Sequence, residues 1–236
     1  MNKAQTLAAS LCLAFAAMPA AAAGRPIVVE LFTSEGCSSC PPADALLAEL
    51  VKRPDVLALS FHVDYWDRLG WKDPFSSAAA TARQRDYAAL LGLGSGYTPQ
   101  IVVDGRWQAV GSDRGEVADA LSAAKHPLDA VSIALTVAGG RARVELGAAA
   151  GALPAEVVLI GFDRRHTDVV RGGENDGRTL THVDVVRGFA KIGRFDGTAA
   201  AIQAKVPWPA DRVAAIVQAK DGRILGVAIA DAAPAS

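Results

Sequence analysis

Two cysteines, Cys37 and Cys40, have the spacing that reversible thiol–disulfide chemistry uses. They could serve as a structural cross-link, but closing a loop of about four residues stabilises a fold by only ~2 kcal/mol in the chain-entropy model. A redox pair explains the spacing better. In such a pair Cys37 would attack a substrate and Cys40 would resolve the resulting mixed disulfide.

The flanking sequence predicts the elements that position this pair. Residues 27–32, IVVELF, are apolar and β-branched and predict a buried strand. Two prolines follow Cys40, where the first turn of a helix tolerates them, and apolar residues recur at helical spacing over residues 43–51. Because a helix N-terminus favours a nearby anion, we expect Cys37 to be exposed and readily ionised, with Cys40 shielded one turn inside.

The first 23 residues have the organisation of a secretory signal peptide. Lys3 precedes an apolar run from Leu7 to Met18, and small residues continue to Ala23. We expect cleavage after Ala23 and export, to the periplasm in a bacterium. No later apolar run is long enough for a membrane span, and the mature chain holds only the two cysteines of the motif.

Charge composition limits the possible partners. The chain has 24 basic and 25 acidic residues, a net charge of −1, and no polybasic run. This composition argues against nucleic acid as a ligand. The expected partners are cysteine-containing exported proteins and a redox partner protein, and neither a cofactor nor a bound metal is expected.

Further elements follow the cysteine helix. The hydrophobic pattern predicts a strand at 56–63, an alanine-rich helix ending at Leu91, a hairpin over 100–110 and a helix at 114–125. The order is β-α-β-α-β-β-α. With Cys-x-x-Cys after the first strand and Thr98 and Pro99 before the hairpin, it resembles the thioredoxin superfamily.

A closer resemblance rests on four segments: VELFTSEGCSSCPPAD, HVDYWDRLGWKDPF, YTPQIVVDG and GENDGRTL. They are similar to exported bacterial proteins of the domain-of-unknown-function family numbered 1223. The thioredoxin resemblance implies that Pro99 is cis and faces the dithiol, where it and Thr98 would hold a substrate chain. A fold does not by itself assign a reaction.

Three other side chains are candidates for the site. Glu30 lies inside the apolar first strand and is the favoured counterpart of the buried acid that assists proton transfer in thioredoxin. Glu35 is a neighbouring candidate, and a solvated or ion-paired carboxylate is the alternative for either. Tyr65 and Trp66 follow the second strand and either bind substrate or simply cover the core.

Residues 128–236 have a different pattern. Apolar residues alternate with polar ones from Val131 onward, which predicts seven or eight short strands. The predicted architecture is an α/β thioredoxin-like fold over 24–127 followed by a β-rich, sandwich-like domain over 128–236. The acidic turn at 172–177 is interpreted as a hairpin turn or a cation site. His166 and His182 flank it, either as ordinary strand-end histidines or as a metal pair.

Three functions are compatible with the sequence. The leading one is an exported thiol–disulfide oxidoreductase acting on protein cysteines. The second is handling of copper or another soft metal, with Cys37 and Cys40 as ligands and His62 or Asp64 completing the site. The third is a binding module in which the thioredoxin-like part is a redox-inert scaffold and the β-rich domain carries the function.

Overall fold

The computed structural model describes residues 25–124 and 131–232. The predicted signal peptide, residues 1–23, and the predicted boundary between residues 127 and 128 lie outside these ranges.

The strands are β1 (Ile27–Thr33), β2 (Val56–His62), β3 (Gln100–Val103), β4 (Trp107–Val110), β5 (Ile133–Ala138), β6 (Arg141–Leu146), β7 (Ala155–Val169), β8 (Thr179–Phe195), β9 (Ala200–Lys205), β10 (Arg212–Ala219) and β11 (Ile224–Asp231). The helices are α1 (Pro41–Leu50), α2 (Ala78–Leu90) and α3 (Arg114–Ala123), with 3-10 helices at Asp67–Leu69 and Gly173–Asn175. None of the described helices is long and apolar enough to cross a membrane.

One eight-stranded sheet, in the order β11-β10-β7-β8-β2-β1-β3-β4, runs through both halves of the chain. β1 and β2 are parallel, and β3 pairs antiparallel with β1 on its other side. β8 joins the sheet beside β2, where Ser60 pairs with Val185. The expectation of a thioredoxin-like fold followed by a separate sandwich-like domain was therefore wrong. β2 is buried along its whole length, so its outer edge needs a partner strand, and β8 supplies it.

A second, three-stranded sheet of β5, β6 and β9 packs against the part of the large sheet that β7, β8, β10 and β11 form. Val144 and Leu146 of β6 share one core with Val157 and Leu159 of β7. The period-two pattern correctly predicted strands in this half. It could not show which sheet each strand would join, because alternation identifies a buried face but not its partner.

β1 is the central strand of the site-bearing half, and all seven of its residues are buried. Val29 and Leu31 pack on the side that carries α1 and α3, whereas Val28 and Phe32 pack with Tyr87 of α2 on the other. Each such side chain contributes roughly 1.5–3 kcal/mol through burial. This packing fixes the end of β1, from which the two cysteines follow.

β7 and β8 form one long antiparallel hairpin. The sequence pattern predicted only short strands in this half, but β7 is continuous over 15 residues because the whole length pairs with β8. The far end of this hairpin, residues 170–178, reaches the connection between β1 and α1. We call this segment the hairpin tip.

Candidate functional site: a buried disulfide beneath a hairpin tip

The two cysteines form a disulfide in the connection between β1 and α1. Cys40 directly precedes α1, which begins at Pro41, and the Cα atoms of Cys37 and Cys40 are 5.5 Å apart. Both cysteines are fully buried, with 0% of either residue exposed, while Ser38 and Ser39 between them face solvent. The expectation that Cys37 would be exposed was wrong, because later parts of the chain cover it.

Thr98 contacts Cys37 of the pair, and Trp66 contacts Thr98. The hydroxyl of Thr98 donates to Cys37 Sγ at 3.3 Å, and Trp66 Nε1 donates to Thr98 Oγ1 at 2.8 Å. The Thr98–Pro99 peptide is cis, as the resemblance implied, and Pro99 is buried. Two residues predicted to bind substrate, Thr98 and Trp66, are therefore together at Cys37.

Pro99 is also close to the cysteine helix. A Cβ atom added to Gly111 would lie 3.2 Å from Pro99 Cβ and 3.1 Å from Ala43 Cβ, so only a glycine fits between them without displacement. Tyr65 is half-buried beside Trp66, and its burial raises the pKa of its hydroxyl, partly offset by Thr98 and Gln84. The structure thus brings Pro99 to the edge of α1 and Tyr65 to the vicinity of Thr98.

The hairpin tip binds the opposite side of the cysteine loop. Asn175, which is fully buried, donates from Nδ2 to the carbonyl oxygens of Glu35 and Cys37, each at 2.8 Å. The carboxylate of Glu174 accepts from the backbone N–H of Ser38 at 2.9 Å and from its hydroxyl at 2.7 Å. Its bond to Ser38 lowers the pKa of Glu174. The turn that the sequence pattern could only describe as a hairpin turn or cation site therefore clamps the loop between the cysteines.

Beneath the loop lies a cluster of buried ionisable side chains. Its members are Glu35, Asp44, His62, Asp73 and His182, and none is more than 7% exposed. His62 Nδ1 lies 2.6 Å from Asp73 Oδ2. The rings of His62 and His182 pack edge to face, with their centroids 4.6 Å apart. His182 Nε2 is 3.4 Å from Glu35 Oε1, and its Nδ1 is 3.8 Å from Asp44 Oδ2.

Members of the cluster shift the pKa values of their neighbours. Burial lowers the pKa of His182, but Asp44 and Glu35 together raise it more, to about 10. Burial raises the pKa of Asp73, but the charge and hydrogen bond of His62 and the N–H groups of Glu35 and Phe75 lower it to about 2. His182 is therefore an imidazolium and Asp73 a carboxylate at neutral pH.

Of the two candidate acids, Glu35 belongs to this cluster and Glu30 does not. Glu35 Oε2 accepts from Trp71 Nε1 at 2.7 Å. Glu30 instead forms an ion pair with Arg83 of α2 and accepts from the Tyr87 hydroxyl at 2.5 Å. Since α2 lies on the face of the sheet opposite α1, the structure does not bring Glu30 to the disulfide.

The residues of the alternative metal site contact other partners. His62 binds Asp73, and Asp64 Oδ1 accepts from the Thr81 hydroxyl at 2.5 Å. His166 and His182 are cross-strand partners on β7 and β8, but His166 Nε2 lies 2.8 Å from Asp163. Within residues 25–124 and 131–232, no group of three or more histidine, cysteine or acidic side chains is arranged to hold a metal ion.

Comparisons with known proteins found two similar solved structures and one matching family model. The crystal structure of protein AGR_C_4864 from Agrobacterium tumefaciens is similar to this chain, with 32% identity and a TM-score of 0.75 over 90% of this chain and 97% of that one. HBP35 of Porphyromonas gingivalis shares the fold, with 14% identity and a TM-score of 0.61 over 90% of this chain and 76% of that one. No curated protein matches the sequence. A family model described as "Protein of unknown function (DUF1223)" matches residues 28–220. This chain therefore belongs to the DUF1223 family.

Proposed function

We propose that this protein is an exported, periplasmic thiol–disulfide oxidoreductase acting on cysteines of other exported proteins. The observation that carries the proposal is the Cys37–Cys40 disulfide at the start of α1, with the Thr98 hydroxyl 3.3 Å from Cys37 Sγ. A helix N-terminus and a hydroxyl donor both stabilise the thiolate form that nucleophilic exchange requires. Cys37 is therefore the sulfur that exchanges with substrate, and Cys40 completes the pair.

The exchange can be written with its electrons and protons. A substrate thiolate attacks Cys37 Sγ, the Cys37–Cys40 bond breaks, and Cys40 leaves as a thiolate. A second substrate thiolate then attacks the substrate sulfur of the mixed disulfide and releases Cys37. Two electrons pass from the substrate dithiol to the protein, and the two protons that the substrate thiols lose balance those that the protein thiols gain. Each step is reversible. With a disulfide substrate, the Cys37 thiolate attacks one substrate sulfur and the other leaves as a thiolate; Cys40 then attacks Cys37 Sγ of the mixed disulfide and releases the second substrate thiolate. A redox partner protein that carries a dithiol or a disulfide restores the starting state.

Thr98, Pro99 and Trp66 are suited to holding the substrate chain. Thr98 and Pro99 directly precede β3, and Thr98 contacts Cys37, so a substrate segment could run alongside them in strand-like contact. The Trp66 indole fixes the Thr98 hydroxyl through a 2.8 Å hydrogen bond. Tyr65 adds an aromatic surface next to this position.

Access to Cys37 requires movement of the hairpin tip. Cys37 is fully buried in the disulfide form, and Asn175 and Glu174 hold the loop that contains it. We infer that a protein substrate reaches Cys37 Sγ when these contacts are released. The hairpin tip is therefore part of the mechanism that we propose.

The test is a thiol exchange assay on the purified full chain. The wild-type protein should equilibrate with a glutathione buffer and catalyse disulfide exchange in a peptide dithiol, whereas Cys37→Ser should be inactive. Ser122→Ala changes an exposed residue of α3 and leaves both sulfurs and their contacts in place, so it is the control and should retain activity. A measured potential near about −120 mV would indicate an oxidant and one near about −270 mV a reductant. A disulfide that does not exchange would favour the redox-inert binding module instead.

A further inference from the structure

His182 is a residue of β8, in the second half of the chain, that contacts both ends of the cysteine motif. Glu35 lies two residues before Cys37, and its carboxylate is 3.4 Å from His182 Nε2. Asp44 lies four residues after Cys40 and donates its backbone N–H to the Cys40 carbonyl at 3.1 Å. The Asp44 carboxylate is 3.8 Å from His182 Nδ1. One imidazole thus lies between acids on either side of the disulfide.

These contacts are electrostatic and poorly directional. Neither ring nitrogen of His182 makes a hydrogen bond within the described residues, and Glu35 Oε1 and Asp44 Oδ1 are unbonded there as well. His182 is 1% exposed, so water screens its charge only weakly. A side chain needed only for packing would not require a positive charge between two carboxylates.

Other charges face this imidazole. The His62 ring contacts it, and His62 is itself bound to Asp73. His166 is its cross-strand neighbour and is bound to Asp163. Each of these histidines has a carboxylate of its own, so the charge of His182 is balanced mainly by Glu35 and Asp44.

We propose that His182 is a positioning residue whose positive charge, held between Glu35 and Asp44, sets how readily the reduced Cys37–Cys40 pair ionises. Ionisation breaks the S–H bond of the attacking thiol, leaves the electron pair on sulfur and passes the proton to water. A nearby imidazolium favours this step, and nearby carboxylates oppose it. The inference rests on the proposed function for its purpose, but the ionisation itself can be measured independently.

Two substitutions should therefore have opposite effects. His182→Gln removes a positive charge and should raise the pH midpoint for alkylation of the reduced pair by iodoacetamide by about one unit, equivalent to a tenfold lower thiolate fraction below the midpoint. Asp44→Asn removes a negative charge and should lower the midpoint by a similar amount. His166→Gln is the matched control and should leave the midpoint unchanged.

Structural damage alone would not move the two midpoints in opposite directions. Equal midpoints for wild type, His182→Gln and Asp44→Asn, or shifts of the same sign, would overturn the inference. If His182→Gln fails to fold, Asp44→Asn decides alone, and an unchanged or raised midpoint in that variant overturns it. If the wild-type protein fails to exchange disulfides but shows the opposite shifts, the proposed function is wrong and the role of His182 stands.

Discussion

The carboxylate of Glu174 accepts two hydrogen bonds from Ser38, one from its backbone N–H and one from its hydroxyl. Ser38 lies between the two cysteines, so the end of a hairpin from the second half of the chain is attached to the centre of the motif. Asn175 reinforces the attachment from the buried side by binding the carbonyl of Cys37. The second half of the chain is therefore hydrogen-bonded to the loop that contains the disulfide.

Weakening the clamp, the pair of hydrogen bonds between Glu174 and Ser38, should expose the disulfide. We expect Glu174→Ala to accelerate reduction of the Cys37–Cys40 bond by a protein reductant by roughly threefold, because two charge-assisted hydrogen bonds are lost. The rate with a small phosphine should change less. Asp176→Ala removes an exposed carboxylate from the same hairpin tip and serves as the control. Equal reduction rates for Glu174→Ala and wild type would show that the clamp does not limit access.

Acid should open the same clamp. The pKa of Glu174 is lowered by its hydrogen bonds to Ser38, so the closed form gains stability that is present above the ordinary pKa of 4.5 and is lost as pH falls through the lowered value. The ratio of reduction rates for wild type and Glu174→Gln should therefore approach one on acidification from pH 6. Stopped-flow reduction at a series of pH values measures this ratio. A ratio independent of pH would exclude the ionised carboxylate as the closing group.

Stability at alkaline pH should depend on His182. Its pKa is raised from 6.5 to about 10, so the stability contributed by its charge is complete below pH 6.5 and is lost as pH rises through about 10. Urea unfolding of the oxidised protein between pH 6 and pH 10.5 should show a falling midpoint in wild type and a smaller fall in His182→Gln. His166→Gln should follow the wild type. Parallel curves for all three proteins would place the titration elsewhere.

His182→Gln should also lower stability at neutral pH. Removing the imidazolium leaves the carboxylates of Glu35 and Asp44 buried without their cation, and breaking a buried ion pair in this way costs about 3–5 kcal/mol. Urea unfolding at pH 7 measures the loss. A cost below about 1 kcal/mol would mean that the carboxylates find other partners or take up protons.

The local part of the site could be predicted from the sequence. A strand, two cysteines and a proline-capped helix are adjacent in the chain, so their relative placement follows from short-range rules. The contact of Thr98 with Cys37 joins residues 61 apart and was expected only because of a family resemblance. The order of elements in the first half was also predicted correctly, because each element has a hydrophobic pattern of its own.

The contacts that cover the site could not be predicted in this way. Asn175 binds the carbonyl of Glu35 from 140 residues away, and the local pattern around it indicates nothing beyond a turn. The partner of Glu30 could not be predicted either. An acid in an apolar strand needs a partner, but the sequence did not identify Arg83, 53 residues away on α2. Alternation predicted the later strands without showing that β8 would pair with β2.

The most direct test of the proposed function is to trap the intermediate. The full-length Cys40→Ala and Cys37→Ala variants would be expressed in a bacterial host, and the periplasmic fractions would be run on non-reducing gels. Cys40→Ala cannot resolve the mixed disulfide internally, so adducts between Cys37 and substrate cysteines should accumulate, whereas Cys37→Ala should trap little. Reductant should dissolve the adducts. Absence of adducts from both variants would contradict the oxidoreductase proposal, and adducts mainly on Cys37→Ala would reverse the roles of the two cysteines.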